Sequence, residues 1–155
     1  MSGFRHEKIE HIPSRHKEGG SNFAYDRRSF IPREEAKQCV VDIYEIPPGK
    51  SACPYHYHCM IEEVFYIISG SGILKTPEGE RRVSAGELLF FPSDQSGAHQ
   101  LTNDSATEKL VYLDFDTVSD LDAAIYPDSG KIGIWGRKVN RMYRLEDTVD
   151  YYDGE

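Results

Sequence analysis

The stretch GKSACPYHYHCMIEEVFYIISG, Gly49 to Gly70, decides how this chain is read. In it, His56-Tyr57-His58 sets two imidazoles two residues apart, and on an extended chain residues i and i+2 point to one face. Two nitrogens can then converge on one ion. The run that follows, EVFYIIS (63–69), is rich in β-branched and aromatic residues and ends at a glycine, which reads as a strand. Glu63 lies five positions beyond His58, an odd offset that an unbroken strand would turn to the opposite face. A turn or bulge near Cys59 to Glu62 must therefore intervene if Glu63 is to join the pair. Glu63, Phe65 and Ile67 share one face of the run, and Glu62 goes with Val64 and Tyr66. Both faces are apolar, so alternation alone leaves Glu62 and Glu63 both open.

Outward from this stretch, short apolar runs are cut at close intervals by Gly, Pro, Asn and Asp. QCVVDIYEI (38–46) ends in Pro47-Pro48-Gly49-Lys50; Gly70-Ser71-Gly72 leads into ILKT (73–76); Pro77-Glu78-Gly79 leads into ERRVS (80–84). ELLFFP (87–92), AHQLTN (98–103) and KLVYLDF (109–115) complete the set. About seven strands and no helix-length period give an all-β sandwich or barrel. His99 falls on a strand of its own, with Gly97, Leu101 and Asn103 on the same side. Two His from one strand, a carboxylate from the next and a third His from a distant strand make an inward-facing metal shell.

Together these residues resemble the cupin superfamily. Its first motif, G-x5-H-x-H-x3,4-E-x6-G, is matched by Gly49, His56, His58, Glu63 and Gly70, with six residues instead of five before His56. The second, G-x5-P-x-G-x2-H-x3-N, is matched by Gly86, Pro92, His99 and Asn103, with SDQSGA between Pro92 and His99 two residues longer than the pattern. Two motifs in the right order are far more specific than one, and the spacing to Gly70 selects Glu63 over Glu62. The resemblance implies an all-β, small jelly-roll or double-stranded β-helix barrel at 38–117, with a polar N-terminal arm (1–37) and a short C-terminal extension (118–155) packing on it. It also implies that His56, His58, Glu63 and His99 bind one divalent transition metal, with open positions for a substrate. Imidazole and carboxylate suit Fe, Mn, Ni, Cu, Co or Zn alike.

Other features read more plainly. His6, His11 and His16 recur every five residues, which no regular element brings to one side, so they are taken as solvated. Cys53 and Cys59 flank the imidazoles, and a buried structural role is expected for them. Tyr55 and Tyr57 alternate away from the imidazole face and are expected to pack in the core or an interface. The arm holds one short strand at most, SDLDAAIY (119–126) suggests a helical turn, and PDSGK (127–131) is a turn and not a phosphate loop.

The chain has 155 residues, with 18 Lys and Arg against 26 Asp and Glu, a formal charge of -8. That sign argues against nucleic acid and anionic membrane surfaces as partners. No stretch approaches the roughly 20 apolar residues of a membrane span, and no signal-peptide core is seen. Three cysteines without a CxxC pairing fit a reducing cytoplasm. Two functions remain open: a metal-dependent enzyme (dioxygenase, isomerase or epimerase, or lyase) acting on a small molecule, and a non-catalytic module binding a sugar or other small ligand. An arm able to cover a sheet edge suggests a homodimer with residues 20–37 at its interface.

Overall fold

A computed structural model describes residues 3–136 and 138–155. The described residues form thirteen strands and three short 3-10 turns, with no α-helix. The strands are β1 (Ser14–Gly19), β2 (Phe23–Ile31), β3 (Cys39–Ile46), β4 (Tyr57–His58), β5 (Glu63–Ser69), β6 (Ser71–Thr76) and β7 (Gly79–Ser84). They continue as β8 (Leu88–Phe91), β9 (Gln100–Asn103), β10 (Leu110–Thr117), β11 (Leu121–Tyr126), β12 (Lys131–Gly136) and β13 (Asn140–Arg144). A six-stranded sheet runs β1-β2-β3-β10-β5-β8, a three-stranded one β7-β6-β9, and a four-stranded one β13-β12-β11-β4. All named pairings are antiparallel, and the whole is a jelly-roll, double-stranded β-helix barrel.

Alternation builds the interior. On β5, Glu63, Phe65 and Ile67 are buried, whereas Tyr66 and Ile68 face out. The core gathers Tyr44 and Ile46 from β3, Phe65 and Ile67 from β5, Leu74 from β6, Val83 from β7, Phe91 from β8, Leu101 from β9, and Leu110 and Tyr112 from β10. Gly70 makes the β5–β6 corner possible. Its φ is 82°, and a Cβ there would stand 2.5 Å from the Lys109 carbonyl oxygen.

Two expectations are corrected. Residues 14–31 form a two-stranded hairpin rather than one short strand, and β2 pairs with β3 from Asp26 to Ile31. The arm thereby pairs along β3 and makes β1 the new edge of that sheet. Every residue of β1 is exposed, so the strand is polar on both faces and leaves no period to read. Residues 121–126 are strand β11 and not a helical turn: β11 pairs with β12 on one side and with β4 on the other. Pairing with β4 and burial of Asp122 and Ala124 override the weak local preference. The 127–131 segment turns as expected, through Gly130 at φ 58°.

Candidate metal centre

Two strands, β4 with His58 and β5 with Glu63, and an isolated bridge between His56 and His99 bring the four residues singled out above together in the barrel interior. His56 enters an isolated antiparallel bridge with His99: its N–H donates to the His99 carbonyl at 3.1 Å, and the His99 N–H donates back at 2.8 Å. His58 sits on β4, opposite Ala124 of β11. Between His58 and Glu63 the chain turns out of β4, tied by the Met60 N–H to Asp122 Oδ1 (2.9 Å) and the Glu62 N–H to Thr117 Oγ1 (2.9 Å). This is the break the odd offset requires. Glu63 then opens β5 buried and faces the interior, whereas Glu62 is exposed.

The donor atoms converge. Glu63 Oε1 lies 3.7 Å from His58 Nε2, and its Oε2 lies 3.5 Å from His99 Nε2. Donor atoms of His56, His58 and Glu63 all fall within 4.8 Å of one another, and the His56 and His99 ring centroids are 4.9 Å apart. His99 lies flat on Phe91, ring centroids 3.6 Å apart, at an interplanar angle of 15°.

Each imidazole is also held from behind. His56 Nδ1 donates to the Pro54 carbonyl (2.9 Å), His99 Nδ1 to the Gly97 carbonyl (2.9 Å), and His58 Nδ1 to Asp122 Oδ2 (2.5 Å). A proton on Nδ1 leaves a lone pair on Nε2, the arrangement that metal-binding imidazoles adopt. A neutral imidazole is what metal binding needs, and burial, aided by the charge of His58, holds His56 down to about 4. Burial and His56 together hold His99 well below its usual value. For His58, burial works in the same direction, but the bond to Asp122 and the charge of Glu63 outweigh it and raise the value. Burial pushes Glu63 up to about 8 against the pull of His58. The donor set, three imidazoles and one carboxylate, fits any of the six metals named above.

Beside the donors lies a cavity of about 320 Å³ lined by Arg27, Arg33, Tyr44, Gln100, Tyr112, Asp114, Asp116, Tyr126, Trp135 and Asn140, among others. Its size is that at which small-molecule pockets begin. Ala52, Phe65 and Leu101 also line it, so charged and amide groups share the wall with apolar and aromatic ones. Cys53 also faces it; Cys53 and Cys59 are exposed, which corrects the expectation of buried structural thiols, since both lie in the loops around β4 rather than on a strand's inner face. Tyr55 and Tyr57 are half-buried outside the cavity, Tyr55 under the Lys75 ammonium. His11 and His16 are exposed and pair with nearby carboxylates.

Sequence reasoning passed over Asp122, Asp114 and Asp116. Asp122 lay in a segment read as helical, where strand alternation would have set it beside Ala124. Asp114 and Asp116 continue the inward face of Leu110 and Tyr112, and a carboxylate at a core parity was the available signal.

Residues 42–116 match the family model described as Cupin domain. No curated protein matches the chain. Among solved structures, a protein provisionally named a sugar phosphate isomerase, from Acidithiobacillus ferrooxidans, is 26% identical over 92% of this chain and 91% of its own, with a TM-score of 0.79. A sugar phosphate isomerase from Silicibacter pomeroyi is 17% identical over 96% and 98%, with a TM-score of 0.81. The polyketide cyclase RemF of Streptomyces resistomycificus is 20% identical over 75% and 80%, at 0.60. The last two show a shared fold.

Proposed function

The chain is a small cupin-domain protein, and on that premise we propose that it is a metal-dependent enzyme of the isomerase or epimerase type, acting on a small anionic molecule of the sugar-phosphate class. One observation carries the metal: all three imidazoles bond through Nδ1 to an acceptor behind them, His58 and His99 turn Nε2 towards the buried Glu63 carboxylate, and a ring nitrogen of His56 lies within 4.8 Å of the His58 and Glu63 donors. A bound divalent ion supplies Lewis-acid polarisation of a substrate oxygen. Around it, Arg27 and Arg33 offer guanidinium forks for a phosphate or carboxylate, and Gln100 and Asn140 offer amides to hydroxyls. The name of the 26%-identical neighbour supports the isomerase branch over the dioxygenase and lyase branches.

Elemental analysis of chain purified without added metal is expected to give stoichiometric metal, and His58→Ala is expected to lose it. Asp122→Asn, which keeps the shape but weakens the bond behind His58, is expected to lower metal affinity about 10–100-fold. Equal metal in the parent and His58→Ala would overturn the assignment. Tight binding of sugar phosphates without their conversion would make the protein a binding module instead.

Two coarser expectations belong to the same proposal. Three free thiols suit a reducing cytoplasm. A homodimer is proposed because β1 presents an open edge and the outer face of the same sheet exposes Tyr66, Ile68, Leu88, Phe90 and Phe115. Light scattering at micromolar concentration is expected to return twice the chain mass; a monomer mass removes the dimer.

A further inference from the structure

Next to the imidazoles the inner face of the six-stranded sheet carries more negative charge than its neighbours neutralise. Asp114 of β10 stands directly opposite Asp42 of β3, and Asp116 stands opposite Glu63 of β5. Like charges placed across a strand pair oppose folding, and burying them unpaired costs far more. Asp114 is 7% exposed and Glu63 6%. The facing cations are few: Arg27 Nη1 approaches Asp42 Oδ2 at 3.6 Å, Arg33 lies at the cavity wall, and His58 faces Glu63.

Three oxygens, Oδ1 of Asp42, Asp114 and Asp116, are shut off from solvent and receive no hydrogen bond from a fixed donor, and the Asp114 and Asp116 carboxyls lie within hydrogen-bond reach of each other. Size decides what can reach them. Water and substrate hydroxyls are too large, whereas a proton or a bare ion held among the carboxylates is not. Oxygens on opposite sides of an ion at 2.0–2.6 Å stand about 4–5 Å apart, and donor oxygens of Glu63, Asp114 and Asp116 all lie within 4.8 Å of one another.

We propose that Glu63, Asp114 and Asp116 hold a second divalent cation of the hard, oxygen-seeking class, with Glu63 bridging it to the imidazole site. It rests on the reading of His56, His58, Glu63 and His99 as the first site. Hard cations favour all-oxygen ligands, so the two sites differ in the ion they prefer while sharing one carboxylate.

The test uses the full chain, stripped by chelation and dialysed against manganese(II) chloride. Two manganese ions per chain are expected, and the second equivalent is expected to quench the six-line resonance of the isolated ion by coupling across Glu63. Asp114→Asn is expected to hold one ion with an uncoupled signal. A parent that stops at one ion, unchanged in Asp114→Asn, overturns the second site and leaves the first standing; protons then neutralise the cluster. Two uncoupled ions put the second elsewhere and overturn the bridge. No ion in the parent overturns both sites. The parent's stoichiometry and resonance decide the matter even if the variant fails to fold.

Discussion

Gly97→Ala is expected to cost about 3 kcal/mol of stability or more and to displace His99. A Cβ at residue 97 would lie 2.0 Å from the Pro92 carbonyl oxygen and 3.0 Å from Pro92 C and N, all backbone atoms that no rotamer change can move aside. The loop has little room to give. Its closure rests on the Asp94 N–H to Pro92 (3.0 Å), the Gly97 N–H to Asp94 (3.0 Å) and the Ala98 N–H to Gln95 (3.2 Å), with Asp94 capping Ser96. The Gly97 carbonyl is also the acceptor that fixes His99 Nδ1. With His99 pressed on Phe91, its ring cannot follow the loop outward. For a domain of this size the loss corresponds to a melting temperature lower by about 6–12 °C, measured on chelated protein, with weaker metal binding besides. Gly19→Ala is the control, since its Cβ would meet only Phe23 Cβ at 3.8 Å. A Gly97→Ala melt within about 2 °C of the parent would refute the steric argument.

The same loop shows where sequence reading reaches its limit. SDQSGA is two residues longer than the family spacing, and spacing alone leaves open where the insertion goes. In the fold a 3-10 turn at Gln95–Gly97 takes up the slack and returns His99 to its bridge with His56. Strands that bury one face were legible: EVFYIIS is β5 residue for residue, and QCVVDIYEI differs from β3 only at Gln38. Strands without a buried face were not, as β1 shows. The four candidate donors stood out because two motifs occur in the right order, although the offsets of His56 and His99 each depart from the pattern. Asp122 did not, because its partner His58 is 64 positions away and only the pairing of β11 with β4 brings them together. Asp114 and Asp116 were visible as parity violations, but a violation has meaning only once a facing carboxylate is known.

Those carboxylates set the last expectation: stripped of metal, the protein loses stability as the pH rises from 7 to 8. Burial holds the proton on Glu63 to about 8, and burial with the neighbouring charges of Asp116 and Glu63 holds one on Asp114 well above the carboxylate range. The unfolded chain releases both near the ordinary values of 4.5 and 3.8. A raised folded value favours the fold at low pH and withdraws that support as pH climbs towards the folded value, at about 1.4 kcal/mol per pH unit for each proton held. His58, also raised in the fold, acts in the same sense. His56 and His99 act in the opposite sense, because the fold keeps them neutral, but their effect is concentrated below the unfolded value of 6.5. From pH 7 to 8 the carboxyl protons therefore prevail. A divalent ion reverses the slope, since ions displace these protons and bind more tightly as pH rises. Thermal melts in EDTA are expected to fall by several degrees over this interval, and melts in saturating manganese(II) to hold or rise. A chelated protein whose melting temperature rises from pH 7 to 8 would show that Glu63 and Asp114 are ionised in the fold, with their charge offset by Arg27 and Arg33.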